Sequence, residues 1–114
     1  MLWASVIAFA LAALGGLTLF ALRLRQKVLP MPVALLHGMA AATGLVCLII
    51  AVTATGAPRH ATYALIGFAI AAIGGFYLFS IHMRGKIHPI LLIAGHGSIA
   101  VASFVLLLLA ALGS

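Results

Sequence analysis

Pro30-Met31-Pro32-Val33-Ala34-Leu35-Leu36-His37-Gly38-Met39-Ala40-Ala41 is followed, 59 residues on, by Pro89-Ile90-Leu91-Leu92-Ile93-Ala94-Gly95-His96-Gly97-Ser98-Ile99-Ala100. Each copy opens on a proline, continues apolar, and sets a His-Gly pair seven residues in. A proline followed by an unbroken apolar run reads as the start of a helix, because a missing N–H does no harm there. An imidazole two turns inside such a helix is costly to bury without a partner. Here it occurs twice at equivalent positions.

Working outward from this stretch, the same offset of 59 matches Ile7, Phe9, Ala10, Ala12, Ala13, Gly15, Gly16, Leu19 and Phe20 with identical residues. It also matches Arg25, Lys27, Pro30, His37, Gly38, Ala41, Val46, Leu48 and Ala51, making 18 identities without a gap. Shared hydrophobicity would align some Leu and Ala, but not Gly-Gly, Arg-x-Lys-x-x-Pro and His-Gly together. The expectation is a duplicated unit, residues 1–57 and 58–114.

Four apolar runs, 2–22, 31–53, 61–81 and 90–112, each have the length of a membrane-crossing helix. Across the 114 residues, 67% are hydrophobic and 5% charged, and the mean hydropathy is +1.40. A soluble domain of this size could not clothe its surface with so few polar groups. Connections of about seven residues or fewer make sequential helices antiparallel. The fold expected is an all-α, four-helix transmembrane bundle of two tandem hairpins, arranged as parallel repeats about an axis along the membrane normal.

Charge orients the bundle. Arg23, Arg25 and Lys27 fall in the first connection and Arg84 and Lys86 in the third, whereas the second holds only Arg59. The positive-inside rule then puts loops 23–29 and 82–88 in the cytoplasm and both termini on the outer side, in a bacterial inner membrane. Trp3 and Tyr63 form the outer aromatic belt and Tyr77 lies near the inner one. The N-terminus lacks a basic leader and its first run is too long for a signal-peptide core, so that run is read as part of the fold.

The formal charge is +6, with no Asp or Glu. The cations sit between apolar runs and form no basic face, which argues against nucleic acid and for a bilayer with anionic headgroups. Proton-coupled drug export, which needs an intramembrane carboxylate, is disfavoured by the missing acids. So are hydrolysis and phosphoryl transfer, for want of an acid, a phosphate loop or a nucleophile–base pair. The single cysteine, Cys47, excludes an internal disulfide and reads as packing. His60, His82 and His88 read as interfacial polar residues near headgroups.

Small residues at Ala8, Ala12 and Gly16, and at Gly67, Ala71 and Gly75, form stripes that allow close helix approach. Counting from the loops, His37, His96, Gly15, Gly16, Gly74 and Gly75 share one layer, about 10 Å inside the loop end. An ionisable side chain in a span points to function by default. His37 and His96 are expected to supply the two axial nitrogens of haem b, with the four glycines giving the macrocycle room and nearby Arg and Lys meeting its propionates. The competing readings are histidines that hydrogen-bond backbone carbonyls and lock helices together, or a site for a quinone or another metal. Electron transfer, alone or within a larger complex, follows from the first. A non-catalytic accessory or scaffold subunit, docking other membrane subunits or its own copies, follows from the second.

Overall fold

The computed structural model describes residues 1–113, and they form four α-helices. These are α1 (Leu2–Leu24), α2 (Met31–Ala54), α3 (Arg59–Met83) and α4 (Ile90–Ala111). Each is long and apolar enough to cross a membrane, with a mean hydropathy of 2.1–2.2 in its most apolar window. The chain is an integral membrane protein by length and composition. The helices exceed the apolar runs by up to two residues at several ends, because Arg59, Arg23 and His82 continue them past the apolar stretch. There, a charged tip can reach water while its stem stays apolar.

Prolines start three of the helices. Pro30, Pro58 and Pro89 are N-caps in extended conformation, one step outside the first turn in which Pro30 and Pro89 were expected. The carbonyls of Pro30 and Pro89 accept the first helical N–H, from Ala34 and Ile93, both at 3.2 Å. Two helices end alike. After α1, Gln26 N–H bonds Arg23 O and Lys27 N–H bonds Leu22 O; after α3, Gly85 N–H bonds His82 O and Lys86 N–H bonds Ile81 O. This paired closure requires a left-handed residue, supplied by Gly85 at φ +66° and, with a steric penalty, by Gln26 at φ +56°.

Each helix packs mainly on its hairpin partner, α1 on α2 and α3 on α4, with lesser contacts between α2 and α3 and between α1 and α4. Among the described residues, α1 and α3, and likewise α2 and α4, stand diagonally, without close backbone approach. Only side chains bridge the diagonals. Phe9 and Phe68 stack across one of them with ring centroids 3.7 Å apart and planes within 3°. Gly44 lies against Phe9, where a Cβ would come within 2.8 Å of the ring.

The core is lopsided. Buried helical positions fall in 5–12 of α1, 44–51 of α2, 61–71 of α3 and 103–110 of α4, with Ile81 the exception among the described residues. All of these but Ile81 belong to the half carrying the termini and the α2–α3 connection. Leu48 and Leu107 are wholly buried there. Outward-facing Leu, Ile, Val and Phe are exposed along every helix, as expected of a surface that lipid tails solvate. The other half, from the histidine level to the 25–30 and 84–89 connections, is packed mostly by half-buried side chains, with Ile81 and His88 buried.

Candidate functional site

The two intramembrane histidines stand where the tight half gives way to the looser one. His37 projects from α2 toward α1, and its Nδ1–H donates to the carbonyl of Ala12 at 2.7 Å. His96 on α4 does the same to Ala71 of α3 at 2.8 Å. A carbonyl can only accept, so the bonded nitrogen carries the proton. In the neutral ring, Nε2 is then left with a free lone pair.

The glycines explain how the rings reach these carbonyls. In an α-helix, the Ala12 carbonyl already pairs with the N–H four residues on, at Gly16, and a side chain there would block the approach. A Cβ on Gly16 would lie 3.1 Å from His37 Cε1, and one on Gly15 would lie 3.2 Å from His37 Cβ. Gly75 has the same relation to His96, at 3.1 Å from Cε1, while Gly74 is looser, 3.8 Å from Nδ1. All four glycines therefore seat the imidazoles against the partner helix of their own hairpin.

The diagonal brings the rings together. Their centroids are 6.2 Å apart and their planes cross at 81°. An imidazole nitrogen binds a first-row metal at about 2.0–2.1 Å, so two rings this close are within reach of one metal. Beside His37, an apolar groove of about 340 Å³ opens along Leu11, Gly15, Val33, Leu36 and Ala40. Among the described residues, no three His, Cys, Asp or Glu side chains converge as metal ligands.

A second cluster, which the sequence reading treated as scattered interfacial residues, forms between the 25–30 and 84–89 connections. His82 and His88 meet edge to face with centroids 5.6 Å apart. Arg23 Nε donates to the His88 carbonyl at 2.9 Å, tying the end of α1 to the connection before α4. Burial, helped by the neighbouring His82 and Arg23 charges, pushes the His88 pKa below its ordinary 6.5, and a backbone hydrogen bond to Leu78 works the other way. The available signal was positional: at the repeat offset Arg23 corresponds to His82, so both mark a helix end at one level. His60 lies at the opposite end of the bundle, against Tyr63 at 6.5 Å.

No protein-family model matches the chain, and comparison with curated proteins and with solved structures returns no significant match.

Proposed function

We propose that this protein binds haem b through His37 and His96 and carries electrons within the membrane, alone or as a subunit of a larger complex. The observation that carries the reading is the pair of diagonal imidazoles at 6.2 Å, each with Nδ1–H anchored on a backbone carbonyl. Anchoring one ring nitrogen fixes the tautomer and raises the basicity of the other, as histidines that ligate metals require. His37 and His96 would hold the metal of a macrocycle that brings its own remaining ligands. The half-buried packing on the loop side of the histidines is the region that could open to admit it, while the tight half holds the bundle. Gly15, Gly16, Gly74 and Gly75 seat the two rings against their partner helices and so hold them in that layer. Bound there by His37 and His96, the haem would supply a reversible one-electron couple.

The same reading takes the chain as a duplicated hairpin about an axis along the membrane normal. Pairing of Phe9 with Phe68 and of His37 with His96, and the equal burial of Leu48 and Leu107, each 59 apart, support it. Cations at one end favour cytoplasmic connections there and termini outside, in a bacterial inner membrane.

A specific observation also favours the second reading, an accessory or scaffold subunit. Each imidazole bonds within its own hairpin and fills the notch beside its own glycines, which suffices for a packing lock. Oxidised and reduced visible spectra of the purified protein separate the two. A haem spectrum abolished in His37→Ala and in His96→Ala supports the first. Protein that stays colourless with haem supplied, and whose histidine variants lose only thermal stability, supports the second.

A further inference from the structure

We propose that the cleft between the 25–30 and 84–89 connections, which His82 and His88 also line, is a binding site for a phosphate group held by Arg23, Lys27 and Lys86. The cleft encloses about 620 Å³ and opens at the end of the bundle. Its three permanent cations have no internal counter-charge, because the chain contains no Asp or Glu. Arg23 is fixed through Nε, and among the described residues its terminal nitrogens have no protein partner. That leaves the fork which binds phosphate oxygens in pairs. Lys27 and Lys86 are delivered to matching places by the identical closures of α1 and α3.

Helix dipoles do not cancel this charge. Two C-termini, each about −0.5, and two N-termini, each about +0.5, meet at this end and offset one another. The level also fits. Helices of 22 to 25 residues span about 33–37 Å, more than the roughly 30 Å hydrocarbon core, so their connections lie among lipid phosphates. A phosphomonoester suits a cleft lined by three cations better than a diester, having one more charged oxygen. The phosphate belongs either to a lipid headgroup or to the free ion. This site stands about 10 Å from the histidine layer along the helices and does not depend on haem.

The test uses the full chain in phosphatidylcholine nanodiscs, both as purified and as the His37→Ala/His96→Ala variant. Phosphatidic acid is added at a few mole per cent and retained lipid is counted by native mass spectrometry; inorganic phosphate is titrated separately and followed by phosphorus NMR. One phosphatidic acid retained per chain against excess phosphate assigns the lipid headgroup, and saturable binding of inorganic phosphate without it assigns the free ion. In either case Lys27→Gln/Lys86→Gln and Arg23→Gln should weaken binding tenfold or more, with Arg59→Gln at the far end unchanged. Absence of both bindings, or an equal loss in Arg59→Gln, overturns the proposal.

Discussion

Gly67→Ala tests the packing between α3 and α4 at one atom. A Cβ at Gly67 would collide with Ser103 Oγ and lie 3.2 Å from Ser103 Cβ. Ser103 is buried, and its hydroxyl donates to the Ile99 carbonyl at 2.7 Å. Either the hydroxyl turns away and loses its bond, at about 1–3 kcal/mol for a buried group, or the helices part, at a similar overpacking cost. Replacing glycine within a helix returns up to about 1 kcal/mol. The expected net loss is therefore about 1–2 kcal/mol. At the repeat offset, the corresponding residues of the first hairpin are Ala8 and Gly44, the same pair with sizes exchanged. Gly67→Ala/Ser103→Gly should thus be more stable than the two single losses sum to, by about 1–2 kcal/mol of coupling. Reversible unfolding in mixed detergent micelles, followed by circular dichroism, gives all four corners of the cycle. Gly67→Ala as stable as the parent, or a coupling within about 0.5 kcal/mol of zero, would refute the close approach of α3 and α4 at this level.

Gln26→Gly should stabilise the protein by about 0.5–1 kcal/mol in the same unfolding measurement, because Gln26 holds the left-handed position that Gly85 fills in the other hairpin. An unchanged or lower stability would mean that the closure of α1 is not maintained. Acidification should destabilise the fold through His88. Its folded pKa is lowered, so its contribution is intact above the unfolded value of 6.5 and is lost as pH falls below it, when the unfolded chain takes the proton more readily. The midpoint of thermal unfolding should fall between pH 7.5 and pH 5.5, and His88→Gln should flatten that dependence; an equal fall in the variant would assign the effect elsewhere.

The four spans are legible in the sequence to within two residues because apolar length alone specifies a membrane helix, and Pro30, Pro58 and Pro89 mark where three of them begin. The histidine level was legible too, by counting residues from the loops. What lies opposite each residue was not. Gly15 and Gly16 read equally as space for a ligand or as a seat for a side chain, and only the placement of α1 against α2 puts the His37 ring on them. The diagonal that joins His37 to His96 depends on the helix order around the bundle, which hydropathy cannot supply. Nor could the Arg23 bond to His88 be read from two residues 65 apart, one ending a helix and the other preceding one.

The most direct test of the central claim is a titration of the purified protein in detergent with haem, followed by electron paramagnetic resonance of the ferric form. Ligation by His37 and His96 predicts saturation at one haem per chain with a low-spin signal, and a high-spin, five-coordinate signal when either histidine is replaced by alanine. Failure to saturate at that stoichiometry, or a low-spin signal that survives both replacements, would contradict it.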